Sequence, residues 1–131
     1  MDYTKLNGLI PAVIQDATTS EVLMVGFMNE QALAETRRSG YATFFSRTRH
    51  TLWTKGETSG NRLEVVEILV DCDDDTVLVK VKRLGDGNVC HTGQRTCSVS
   101  RRGSSPLASR SSRRCASACR AWAPMLGQSP R

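Results

Sequence analysis

The chain has 131 residues, 39% apolar and 5% aromatic, enough for one ordinary domain and too little for two. Its formal charge of +5 is unevenly placed: residues 101–131 hold seven arginines and no acid, whereas residues 1–100 hold eleven basic residues against thirteen acidic ones, so the chain is not a uniformly basic nucleic-acid binder. No stretch approaches the ~20 apolar residues of a membrane span, and Met1-Asp2-Tyr3 opens without a basic flank or an apolar run, so no secretory signal is expected and a cytoplasmic location is.

In chain order, Glu21 to Met28 reads as an apolar run consistent with a buried strand. Asn29 then offers a side-chain cap and Glu30 a negative charge for the first turn of a helix over Gln31 to Ser39. Ala32, Leu33 and Thr36 share one side of that helix, Arg37 and Arg38 suit its C-terminal end, and Gly40 can take the left-handed conformation that closes it. Tyr41 to Ser46 has the aromatic content of a strand. Lys55 to Asn61 is too polar for a core and reads as a loop. Arg62 to Val70 is dense in β-branched residues, and Thr76 to Arg83 alternates Val77, Val79 and Val81 with Lys80 and Lys82. An Asp-rich turn between the two predicts an antiparallel hairpin. Gly85 to Asn88 is a further turn leading to Cys90. Residues 101–131 mix Arg, Ser, Ala and Pro without a period and are expected to be disordered, because they bury too little apolar surface to offset ordering entropy. The expected fold is α+β, a compact domain over residues 1–99 with a mostly antiparallel or mixed sheet and few helices, followed by an Arg/Ser-rich tail over 100–131.

Three constellations could carry chemistry. In Asp71-Cys72-Asp73-Asp74-Asp75, extended-chain alternation would put Asp71, Asp73 and Asp75 on one side. Hard carboxylate oxygens suit Mg²⁺, although aspartates are also ordinary turn residues. Five cysteines without a secretory context argue against a disulfide framework. Cys72, Cys90 and Cys97 are three thiols of the kind that bind Zn²⁺, which when held by three protein groups keeps a position open for water and lowers its pKa to about 7. Buried structural cysteines or a Cys90–Cys97 disulfide fit the spacing equally well. His91 is a zinc ligand, a proton-transfer group or a surface histidine. In Ser46-Arg47-Thr48-Arg49, alternation in an extended strand would point both guanidiniums to one side, where their forks match phosphate oxygens. Lys55, Gly56, Thr58, Ser59 and Gly60 add donors and room for an anion, beside the alternative of a solvated basic strand and loop.

Taken together and in this order, these segments resemble the phosphoribosyl-AMP cyclohydrolases of histidine biosynthesis. The matching stretches are Gly8 to Asp16, Leu23 to Asn29, Phe45 to Arg49, Leu52 to Asn61, Asp71 to Asp75, and Cys90-His91-Thr92-Gly93 with Cys97, over roughly residues 5–99. The resemblance implies hydrolysis of the N1–C6 bond in the purine ring of phosphoribosyl-AMP, giving a formimino-aminoimidazole-carboxamide ribonucleotide. It implies Zn²⁺ on Cys72, Cys90 and Cys97 drawn from both subunits of a homodimer, and Mg²⁺ on Asp71, Asp73 and Asp75. His91 matches a proposed catalytic base. Arg47, Arg49, Trp53, Lys55, Gly56, Glu57, Thr58, Ser59 and Asn61 are the expected substrate-binding residues, with two substrate phosphates for the cations. A domain of this size with few aromatics buries limited surface alone, which agrees with a dimer. After Cys97 the chain departs from the family pattern, and we expect an altered segment there. The competing reading is a small zinc-stabilised module that contacts nucleic acid through its arginine tail.

Overall fold

Ile10, Ala12 and Ile14 alternate with half-buried neighbours and form strand β1 (Ile10–Asp16) in the computed structural model, which describes residues 1–99. β2 (Val22–Met28) follows antiparallel to it, then helix α1 (Glu30–Ser39), the strand pair β3 (Thr43–Ser46) and β4 (Thr51–Thr54), and the hairpin of β5 (Leu63–Val70) with β6 (Val77–Arg83). The main sheet has the order β2-β1-β6-β5, and β3 and β4 form a second, two-stranded sheet. β1 and β6 run parallel and the other pairs antiparallel, so the sheet is mixed, as expected for the α+β class.

Register decides the core. Ala12 lies opposite Val77, Ile14 opposite Val79 and Asp16 opposite Val81, and all six are buried. Parallel neighbours buried this way require cover on the sheet face. Ala32, Leu33, Ala42, Phe44 and Leu63 join β1, β2 and β6 in that core. Phe44 lies against the backbone of Gly26: a Cβ there would stand 2.5 Å from the Phe44 ring, so only glycine permits the approach. Phe44 also meets Trp53, with ring centroids 5.0 Å apart.

The helix forms as its end signals require. Asn29 Oδ1 accepts from the Ala32 N–H at 2.8 Å, and Gly40 closes the helix at φ 77° with its N–H donating to the Thr36 carbonyl. Ala32, Leu33 and Thr36 are its buried residues. The expectation of a buried strand at Glu21 to Met28 needs correction. β2 is an edge strand, and Val22 and Val25 are exposed because, among the described residues, nothing packs over these side chains on the sheet faces. β1 and β4 are not among the predicted elements. The tail expectations for 100–131 lie outside the described residues.

Asp16 ends β1 on the buried side. Burial opposes its ionisation, but the Thr19 and Thr18 N–H groups and the Arg83 guanidinium, which donates at 2.8 Å, outweigh that and hold its carboxyl below the usual 3.8. A carboxyl depressed in the folded state stabilises above its unfolded pKa, and that contribution disappears as pH falls through the folded one. Asp16→Asn should therefore lower the urea midpoint at pH 6–7, and the gap to the parent should shrink as pH falls below the usual carboxylate range and through the depressed folded-state pKa. A gap that stays constant with pH would contradict the assignment.

Candidate functional site

The β5–β6 hairpin turn carries the acidic cluster. Asp71 Oδ1 accepts from the backbone N–H groups of Asp75 (3.0 Å) and Thr76 (3.1 Å), and Asp74 sits at φ 60°, so the turn folds back on its own first residue. One carboxylate oxygen from each of Asp71, Asp73 and Asp75 lies within 4.8 Å of the others. The three meet through this turn and not through strand alternation, because Asp71 to Thr76 is not extended. Oxygens about 2.1 Å from a common Mg²⁺ are ~3–4 Å apart, so a small closure of the cluster fits that ion, and the donor set is the hard one it prefers.

Lys5 is the residue that sequence reading misses here. Its ammonium donates to Asp73 Oδ2 and Asp75 Oδ2, each at 2.8 Å, and these bonds raise the lysine above its ordinary range while lowering Asp75 below 3.8. The N-terminal segment is also tied to the turn by the Asp2 N–H, which donates to the Asp74 carbonyl at 2.6 Å. Nothing in local pattern signals a contact across 68 or 70 positions.

The thiols follow β6 at its other end. The Val89 and Cys90 N–H groups both donate to the Gln94 carbonyl, closing the Cys90–Gln94 loop, and the Cys97 N–H donates to the Leu23 carbonyl of β2 at 2.8 Å. The buried Thr96 hydroxyl lies 2.8 Å from the Val22 carbonyl and 3.0 Å from that of Leu23, pinning the segment to the sheet edge. The Cys90 and Cys97 thiols are near enough to influence each other's ionisation, and both are free. Cys72, exposed in the acidic turn, does not join them: the group of three potential ligands that meets among the described residues is the aspartate one. The seven residues of β6 separate the two ends by about 20 Å. Two adjacent, accessible thiols fit a soft ion such as Zn²⁺ and leave it needing further ligands.

The polar loop divides between two cavities. Lys55, Ser59 and Asn61 share a cavity of about 410 Å³ with Cys90, His91 and Gly93, and the Asn61 side chain holds the loop to the next turn by accepting from the Asp86 N–H at 3.0 Å. Trp53, Gly56, Glu57, Thr58 and Ser59 line a second cavity of about 240 Å³ with Arg49. The two arginines do not share a side. Residues 47–50 form the β3–β4 turn, with His50 at φ 52°, so strand alternation does not apply to them. Arg47 instead stacks its guanidinium 4.0 Å over the Phe27 ring. It lines a third cavity of about 670 Å³ with Lys5, Leu9, Phe27, Phe45 and His50. His91 is exposed at the rim of the thiol-lined cavity.

A mixed-sheet domain that presents a thiol pair beside a cation-bearing glycine loop, and a carboxylate cluster at the opposite end of one strand, has the arrangement of a small α+β enzyme domain. The family described as PRA-CH, phosphoribosyl-AMP cyclohydrolase, matches residues 24–99. The chain is 58% identical over 97 residues to a phosphoribosyl-AMP cyclohydrolase of Citrifermentans bemidjiense and 56% identical over 97 residues to one of Desulfatibacillum aliphaticivorans, covering 74% of this chain and 77% of each relative. It is 55% identical over 97 residues to the histidine biosynthesis bifunctional protein HisIE of Vibrio vulnificus, covering 74% of this chain and 45% of that protein. It therefore spans less than half the length of the bifunctional relative. The chain belongs to the phosphoribosyl-AMP cyclohydrolase family.

The two thiols differ chemically. The Thr92 hydroxyl, 3.0 Å from Cys90 Sγ, and the Thr92 N–H hold the Cys90 thiol below its usual 9.0, with Lys55 assisting. Local desolvation and the Cys90 sulfur push the Cys97 thiol above 9.0, although the residue as a whole is exposed. In metal-free protein at pH 7.5, iodoacetamide should modify Cys90 several times faster than Cys97, because the thiolate is the nucleophile. Thr92→Val should shrink the difference, and peptide mass spectrometry with time resolves the two sites.

Proposed function

We propose that the chain hydrolyses phosphoribosyl-AMP at the N1–C6 bond of its purine ring, in a homodimer whose sites draw on both copies. The observation that carries this reading is the meeting of Lys55, Ser59 and Asn61 with Cys90 and His91 around one cavity, in a chain of this family. Cys90 and Cys97 would hold Zn²⁺ with Cys72 of a second copy, and Asp71, Asp73 and Asp75 would hold Mg²⁺. Zinc bound there supplies a water acidic enough to attack at neutral pH, and magnesium supplies positive charge for substrate oxygens.

The residues of the chain do the remainder. His91, at the cavity rim, takes and returns protons as water adds to the ring carbon. Lys55 and the Ser59 hydroxyl donate to charge developing on the ring or to a phosphate. Arg49, with the Thr58 and Ser59 hydroxyls beside it, offers a second anion position, and Trp53 an aromatic face. Two anion positions match a substrate with a phosphate at each end. The reading also accounts for the exposed apolar side chains of both sheet edges, Val22 and Val25 on β2 and Val66, Leu69 and Val70 on β5, which a second copy would cover. The nucleic-acid reading rests on residues 101–131, outside the described residues.

Incubation with phosphoribosyl-AMP should change the ultraviolet absorbance as the ring opens. A chelator should suppress this, and added Zn²⁺ and Mg²⁺ should restore it. No absorbance change with metals supplied would reject the activity.

The shared site makes a separate prediction. Cys72→Ser and Cys90→Ser should each be inactive, yet mixing them under conditions of subunit exchange should recover activity, up to one intact site per heterodimer. No recovery, with exchange demonstrated by mass spectrometry, would reject the shared site.

A further inference from the structure

Lys5 holds an unusual position for a surface lysine. Its nitrogen lies 2.8 Å from oxygens of two different carboxylates in the acidic turn, Asp73 and Asp75, where a cation bridging them would be placed. The Asp2 N–H bond to the Asp74 carbonyl fixes the same segment against the turn, so the ammonium is delivered by backbone and is not a chance surface encounter. Lys5 also belongs to the wall of the 670 Å³ cavity, together with Leu6, Asn7, Gly8 and Leu9. Arg47 and His50 stand on the same cavity, and Phe27 and Phe45 supply aromatic surface.

We propose that Lys5 is a tethered counter-ion that competes with a divalent cation for the Asp71–Asp73–Asp75 cluster and is expelled when the cation binds. This inference rests on the cluster being a cation site, as in the proposed function. Without the ion, three carboxylates within 4.8 Å, Asp71 and Asp73 exposed and Asp75 half-buried, repel one another, and the ammonium offsets that repulsion. With the ion, Asp73 and Asp75 turn their oxygens to it, and Lys5 loses both acceptors. Its side chain remains attached to the cavity wall, so loading the cluster adds a free positive charge to a cavity that already presents Arg47. The cluster's affinity is thereby set below what its three carboxylates alone would give, and cation binding is linked to the charge of the neighbouring cavity.

Two measurements on the 131-residue chain test this. Calorimetric titration with Mg²⁺ should show Lys5→Met binding roughly three- to tenfold more tightly than the parent, the range expected for removing a competing surface ion pair. Asp73→Asn should weaken binding in both backgrounds. In ¹⁵N-lysine-labelled parent protein, the ammonium resonance absent from Lys5→Met should shift or broaden away as Mg²⁺ saturates. Equal affinity in parent and Lys5→Met would overturn the inference and leave the cation site standing. Tighter binding with an unmoved Lys5 resonance would also overturn it, because repulsion through space needs no displacement. Absence of Mg²⁺ binding in both proteins would overturn the cation site and the inference together.

Discussion

The parallel pairing of β1 with β6 is the constraint on which the rest of the molecule depends. It places Ala12, Ile14 and Asp16 beside Val77, Val79 and Val81 and so fixes which face of the sheet is buried. A one-residue slip would turn one of the two sets outward. The pairing also makes β6 a stiff spacer. At one end lies a turn of hard oxygen donors that also carries Cys72, at the other a loop with the Cys90 and Cys97 thiols, about 20 Å away.

Electrostatics at the two ends of the sheet follow different rules. Asp16 is buried, and its charge is tolerated because two N–H donors and Arg83 satisfy it. The acidic turn is exposed, and solvent carries part of its charge. Its geometry is held by backbone donors to Asp71 and by Lys5 reaching across to Asp73 and Asp75. The first arrangement is structural and closed. The second has a replaceable partner, since an exposed ammonium gives up little when it returns to water.

Much of this is legible in the amino-acid sequence alone. The helix is readable because Asn29, Glu30, Arg38 and Gly40 are local signals that act within one turn. The β5–β6 hairpin is readable because Val77, Val79 and Val81 alternate with lysines around an Asp-rich turn. β1 is harder: its Ile10, Ala12 and Ile14 pattern is interrupted by Pro11 and contains one small residue, so its status as a central strand emerges only from pairing with β6. The arginines show where periodicity misleads. Arg47 and Arg49 alternate in sequence, but the chain has already turned at Arg47, and one guanidinium goes to the Phe27 ring while the other faces the Trp53 cavity. Lys5 was not legible at all, since its partners are defined by tertiary folding alone.

The exposed edges and the separated thiols are one problem. Cys72 follows β5 by two residues, and β5 ends in exposed Leu69 and Val70. Cys97 is bonded to Leu23 of β2, beside exposed Val22 and Val25. Each lone part of the thiol set therefore sits next to apolar surface that a single copy leaves in water. Covering that surface releases water from several large side chains, a gain of ~25 cal/mol per Å², and the same approach can carry the Cys72 of one copy toward the Cys90–Cys97 pair of another. In the proposed homodimer a metal shared in this way would stabilise only the assembled form, so cation binding and association would strengthen each other. In the proposed homodimer the low aromatic content that limits the core of one copy would be no defect, because a second copy would bury apolar side chains that this one exposes.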